Sequence, residues 1–199
     1  KIDGRKFFVD SKEPKISRIL PRRNSITNGS EFYLKYSEEN LKSVMIFLNG
    51  INGSNNVNFS SCSSGKNIEC SQNVNIGMFD GSFFDFYFQI DDGRNTINSS
   101  STRVYTDTTS PTLNVNAPLN QTYSTRVPFN FSISEEVEIS YYDEFDFNPR
   151  WKKLCSHCSE YGEIKEKLKR FNIGHHAVTI MAVDKAGNSD SERIEFETA

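Results

Sequence analysis

No stretch of this 199-residue sequence approaches the roughly 18 consecutive apolar residues of a membrane-spanning helix, and the amino terminus lacks the charged-then-apolar plan of a secretory signal. Membrane insertion is therefore not expected, and a mature fragment would look like this. Charge of one sign is also lacking. A formal net charge of -3 and an isoelectric point near 5.7 give no electrostatic reason to expect nucleic acid or an anionic lipid surface as partner. The motifs of catalysis are missing too: there is no G-x-S-x-G nucleophile elbow, no phosphate-cradling glycine loop and no H-E-x-x-H zinc pair. No enzyme activity and no cofactor are expected.

Aromatic residues are what the chain has instead. Hydrophobic residues make up only 36% and mean hydropathy is -0.58, yet 16 Phe and 8 Tyr supply large apolar surfaces. A polar chain with aromatic anchors suits thin β-sandwiches, in which each sheet buries one face and wets the other.

Self-comparison shows an internal repeat. A shift of 97 carries Asp10 onto Asp107, Pro14 onto Pro111, Phe32 onto Phe129 and Ser37-Glu38-Glu39 onto Ser134-Glu135-Glu136. Farther along the shift is 93, taking Cys62 onto Cys155, Gly81 onto Gly174, Asp91 onto Asp184 and Asn95 onto Asn188. The first copy thus holds four extra residues near Asn40 to Ser43, an insertion expected in a loop or at a strand end. The boundaries that follow are residues 10–107 for the first module and 108–199 for the second. Residues 1–9 read as the terminal strand of a preceding module, or as a strand donated to a neighbouring subunit.

Within each copy the apolar positions alternate with period two, as in Phe32-Leu34-Tyr36, Val44-Ile46-Leu48, Phe84-Phe86-Phe88-Ile90 and Phe129-Phe131-Ile133. Turn residues such as Asn49-Gly50, Asp92-Gly93 and Ala186-Gly187-Asn188 punctuate these runs. The expected fold is all-β, two tandem immunoglobulin-like (fibronectin type III-like) sandwiches. Glu163 to Lys169 fits either a helical turn or a polar edge strand, and alternation of Ile164, Glu166 and Leu168 favours the strand.

The linker Asp107-Thr108-Thr109-Ser110-Pro111 and the later turn Ala182-Val183-Asp184-Lys185-Ala186-Gly187-Asn188 resemble those of Ig-like repeats in prokaryotic surface adhesins. The second copy, with Trp151-Lys152-Lys153-Leu154-Cys155-Ser156-His157-Cys158 upstream of Gly174-His175-His176-Ala177, is similar to Ig-like modules of archaeal secreted and cell-surface proteins. The resemblance implies a sandwich fold, an extracellular place and a stalk or adhesive role, with neighbouring modules, identical subunits, surface proteins or glycans as partners.

Four cysteines fall two per copy, Cys62 with Cys70 and Cys155 with Cys158, and local disulfides are the natural reading for an even count in an extracellular chain. Cys155-Ser156-His157-Cys158 has the look of a redox motif, but that chemistry needs a thiolate at a helix amino terminus in a βαβ fold. Zinc on Cys155, Cys158 and His175 or His176 is disfavoured because the first copy has no histidine to match. Adjacent His175 and His176 should point to opposite faces of a strand, one ring partly buried and one wet. The acidic positions Asp91, Asp107 and Asp184 could hold calcium at module ends, against a plainer reading in which Asp caps its own turn. Glu38-Glu39 and Glu135-Glu136 are expected at a shared, water-exposed turn rather than as a glycosidase pair.

Asn28, Asn52, Asn58, Asn98, Asn120 and Asn130 each open an Asn-x-Ser/Thr sequon, making them glycosylation candidates. Phe145, Phe147 and Trp151 cluster in one loop region and could bind a glycan or protein, although the expectation for Trp151 is that it fills the core beside the disulfide.

Overall fold

The computed structural model describes residues 12–199. The expectation for residues 1–9 falls outside them. The chain divides into two compact units, one through Thr108 and one from Thr109, each with its own hydrophobic core.

The first unit packs two layers, antiparallel except where the two-residue β2 joins β9. One joins β1 (Lys15–Leu20), β3 (Phe32–Glu38) and β6 (Gly65–Gln72) in the order β1-β3-β6. The other runs β2-β9-β7-β4-β5, from β2 (Ile26–Thr27), β4 (Ser43–Gly50), β5 (Gly53–Asn58), β7 (Phe83–Asp91) and β9 (Thr102–Thr106), with β8 (Thr96–Asn98) on β7. The period-two alternation places Phe32, Leu34 and Tyr36 from one layer against Ile46, Phe84, Phe86 and Phe88 from the other, all without measurable or with about 1% exposure. Phe86 meets Phe32 and Phe88 edge-on at centroid distances of 5.1 and 6.0 Å, the geometry that aromatic quadrupoles prefer.

The second unit repeats this plan with one difference. Strand β12 (Arg126–Asp143) is 18 residues long and passes from one layer to the other. Its early part pairs with β10 (Leu113–Ala117) and β14 (Lys167–Arg170), its later part with β15 (Gly174–Val183), and β13 (Lys152–Tyr161) follows it through both. On its far side β15 pairs with β16 (Ser189–Thr198), which in turn meets the two-residue β11 (Thr122–Tyr123) in parallel, as β9 meets β2 in the first unit.

The insertion inferred from the repeat accounts for the difference. Four residues, Glu39 to Lys42, form the corner that separates β3 from β4, where β12 runs on unbroken. The paired glutamates therefore occupy different settings, which corrects the expectation of one exposed turn. Glu38 is buried at the corner and its Oε1 accepts from the Asn40 amide at 2.7 Å, while Glu135 and Glu136 lie inside a strand.

The segment read as edge strand or helical turn contains no helix. Its strand begins late, at Lys167, and Ile164 before it is exposed among bends. Gly162 makes that approach possible: its φ is +86° and an added Cβ would collide with the Phe129 carbonyl oxygen, so only glycine fits without displacement.

Candidate functional site

Both cysteine pairs are bonded, Cys62 to Cys70 with Cα atoms 5.3 Å apart and Cys155 to Cys158 at 6.3 Å. The first ties the loop after β5 onto β6, with Cys70 in the core and Cys62 against it. The second has a different task. Ile139 pairs with Cys155 and Val137 with Cys158, so three residues of β12 oppose four of β13, and the disulfide closes the resulting bulge. His157 sits in that bulge at φ 59°, its Nδ1 2.6 Å from Glu136 Oε1. Glu136 also takes Lys185 Nζ at 3.2 Å, and these donors, Lys185 foremost, hold its carboxyl below the usual range. Bonded to each other, Cys155 and Cys158 offer no thiolate to zinc, and they sit in a strand bulge rather than at the helix amino terminus that the redox motif needs.

The two adjacent histidines point oppositely, as strand geometry requires. His175 is exposed and pairs with Glu197 at 2.9 Å, while its ring meets Phe145 edge-on at 4.9 Å. His176 is 4% exposed, and its partner is Asp143, itself 3% exposed, with Nδ1 2.8 Å from Oδ2. This pair is the feature that sequence reasoning missed, because Asp143 and His176 lie 33 residues apart and meet only through the β12–β15 register.

The surroundings of the pair determine its chemistry. His176 Nε2 faces the Asn172 carbonyl oxygen at 2.9 Å and Nδ1 faces the Asp143 carboxyl at 2.8 Å, so both ring nitrogens have a hydrogen-bond partner. Thr198 Oγ1 is 3.4 Å from Nε2, which gives the outline of a hydroxyl, imidazole and carboxylate in series. The outline is not a catalytic triad. Thr198 gives its proton to the Asn172 carbonyl, which His176 Nε2 also faces, and Thr198 is only 3% exposed. Phe196 stacks on the ring and Phe171 meets it edge-on, at 5.3 and 4.9 Å. The arrangement is a buried, fully satisfied staple between β12 and β15.

Asp184, one of the acidic positions considered for calcium, spends its oxygens on its own turn. Asp184 Oδ1 accepts from the Ala186 and Asn188 amides at 2.7 and 2.9 Å, and Oδ2 from the Asn188 side chain at 2.8 Å. In the first unit this role falls to Asp92, which accepts from the Asn95 amide at 2.6 Å and from its side chain at 2.9 Å. The structural counterpart of Asp184 is therefore Asp92 rather than Asp91, the turn being one residue shorter. Asp91 caps Gly93 at 2.6 Å and meets Lys42 at 3.5 Å, and the Asp107 amide donates to the Thr27 carbonyl at 3.1 Å.

Trp151 overturns one expectation. It is 48% exposed and lies outside the core, with its ring 5.7 Å from that of Tyr142. The reason is parity. Tyr141 faces the core and pairs with Lys152, so the residue before Lys152 falls on the outer face beside Tyr142. Phe145 covers His175, and Phe147 is 98% exposed with no aromatic partner among the described residues. The three aromatics are thus exposed, but they do not form one cluster.

Of the six sequon asparagines, Asn52, Asn58, Asn98 and Asn120 are exposed and Asn28 and Asn130 half-buried. Asn52 sits in the β4–β5 turn, where its Nδ2 donates to the Met78 carbonyl at 3.0 Å.

The sequence matches no protein-family model and no curated protein. In structure the chain is similar to the FN1-FN3 domains of chicken CNTN1, at 12% identity and a TM-score of 0.50 over 92% of this chain and 67% of that one. It also aligns with the fibronectin(III)-like modules of Clostridium thermocellum CbhA, at 12% identity and a TM-score of 0.48 over 94% of both chains. A third alignment is with a tetra-tandem repeat in the extending region of a large adhesion protein, at 14% identity and a TM-score of 0.34 over 94% of this chain and 49% of that one. At 12% identity the likeness to the CNTN1 domains is one of fold, and with the strand order above it makes this chain a pair of tandem fibronectin type III-like sandwiches.

Proposed function

We propose that this chain is a non-catalytic extracellular segment that serves as a spacer in a cell-surface stalk or adhesin. The observation that carries the reading is the repetition of one complete sandwich, each copy with its own core and its own disulfide. A module whose interior is finished within itself can be strung in series, and disulfides persist in oxidising, extracellular surroundings. The polar groups that catalysis would need are engaged structurally, as Asp143, His176 and Thr198 illustrate. Among the described residues no helix is long and apolar enough to cross a membrane. Stretching the chain between two surfaces tests the reading: a spacer bears load as two discrete unfolding units, and an extension without discrete events overturns it.

A second reading has one observation in its favour, the exposure of Trp151, Phe145 and Phe147, which suits contact with a glycan or a partner protein. Glycan-array binding that is lost in Trp151→Ala supports it, and unchanged binding removes this surface. Assembly into a filament through donation of residues 1–9 is tested by deleting them, since polymerisation that survives the deletion excludes that route.

A further inference from the structure

A sheet edge presents unpaired N–H and C=O groups to any strand that arrives, and soluble proteins protect such edges with charge, bulges, proline or brevity. Four edge strands here, β1, β6, β13 and β14, follow this rule. Each carries Lys or Arg, and β1, β6 and β13 also break register in a bulge.

Strand β5 does not follow it. Gly53-Ser54-Asn55-Asn56-Val57-Asn58 has no charge and no proline, and it pairs with β4 over six residues without a register shift. Every residue of it except Val57 is exposed, and among the described residues no strand lies on its other side. What β5 has is a sequon at each end, Asn52 in the turn before it and Asn58 as its last residue, both exposed. The pattern extends to the other uncharged edges. Asn28 directly follows β2, Asn98 ends β8, Asn120 lies two residues before β11, and Asn130 pairs with Ala117 at the end of β10. No sequon lies on a charged edge strand.

We infer that Asn52 and Asn58 carry N-linked glycans and that these guard the β5 edge in place of charge. The inference rests on the extracellular reading above. The donor is a lipid-linked oligosaccharyl diphosphate. The Nδ2 nitrogen bonds to the anomeric carbon, the anomeric C–O bond to the diphosphate breaks, and one amide proton leaves to a base of the transferase. At Asn52 the nitrogen keeps its second hydrogen for the Met78 carbonyl, so the turn that seats it is preserved. Two bulky, hydrated oligosaccharides at the ends of a strand about 20 Å long deny a second strand the approach it needs.

Two experiments test this. Protein from its native source is treated with an amidase that releases N-glycans in heavy-oxygen water, and its peptides are analysed by mass spectrometry under non-reducing conditions. Labelled aspartate at positions 52 and 58, with the Cys62–Cys70 peptides disulfide-linked, is the expected result. Unlabelled asparagine beside an intact disulfide overturns the glycan inference and leaves the extracellular reading standing, whereas free thiols overturn both. The Asn52→Gln/Asn58→Gln protein, which lacks both glycans and does not gain the aspartate charges left by the amidase, is then followed by light scattering with increasing concentration. The expected shift is from monomer to dimer or larger, with amide-exchange protection gained over residues 53–58 and monomer restored by Asn56→Lys. Glycan-free protein that stays monomeric, or self-association unaffected by Asn56→Lys, overturns the guarding role.

Discussion

Replacing Asp143 with alanine leaves the His176 imidazole buried against Phe171 and Phe196 with no partner for Nδ1, and it also removes the acceptor of the Phe145 amide. Leaving a buried polar group without its hydrogen-bond partner costs about 1–3 kcal/mol. For a domain of this size each 1 kcal/mol moves the melting midpoint by roughly 4–8 °C, so the second unit should melt at least ~4 °C lower. Asp143→Asn keeps one acceptor oxygen where the carboxyl has two, so it retains only one of the two contacts and should fall between the variant and the parent. In the double variant Asp143→Ala/His176→Phe no polar ring remains to be stranded, so it should recover much of the loss, giving a coupling energy in a double-mutant cycle of at least ~1 kcal/mol. The assay is calorimetry or urea denaturation that resolves two transitions, of which only the second unit's should move. A loss under ~1 kcal/mol, or an equal fall in both transitions, refutes the account of the pair.

Three further outcomes follow from the packing and the charges. Phe86→Ala in the first core should cost about 3–5 kcal/mol, whereas Trp151→Ala should cost no more than about 1.5 kcal/mol from its tilted ring contact with Tyr142; equal losses in denaturant titrations would put Trp151 in the core. Replacing Cys62 and Cys70 together by serine releases a loop of sequence separation 8 and should cost about 2.5 kcal/mol, against about 2 kcal/mol for Cys155 and Cys158 with separation 3, and the reverse order in melting midpoints would contradict the loop argument. Glu69, Glu144 and Asp146 are held below their ordinary pKa, chiefly by hydrogen bonds from Lys35, Arg193 and Lys152, and Asp92 by the backbone of its own turn. A carboxylate whose folded pKa is depressed stabilises fully above its unfolded value near 4 and loses that contribution as pH falls through the folded value, so the melting midpoint should be level near neutrality and decline below about pH 4. A midpoint unchanged down to pH 2 would contradict it.

Much of this architecture was legible because it depends on local rules. Alternation alone places Phe32, Leu34, Phe84 and Phe86 in the core, and the change of shift between the repeats locates the four-residue corner that divides β3 from β4. What was not legible depends on register. Trp151 is read correctly only when Tyr141 is known to oppose Lys152, since a slip of one residue would turn it inward. Asp92 takes the place of Asp91 because a turn one residue shorter moves the cap, which a fixed shift cannot show. The partnership of Asp143 and His176 is a consequence of β12 crossing both layers, and no spacing in the sequence signals it.

Two self-sufficient modules in one chain should unfold one at a time, and force spectroscopy of the intact protein tests that directly. Unravelling each unit to its disulfide should release roughly 30 nm of chain, taking about 3.6 Å per extended residue. Under reducing conditions the first unit's step should lengthen by about 3 nm and the second's by about 1 nm, in proportion to disulfide separations of 8 and 3 residues. Two discrete steps that lengthen in this way are the predicted result. A single step near twice the length, or extension without steps, would contradict the division into independent load-bearing modules.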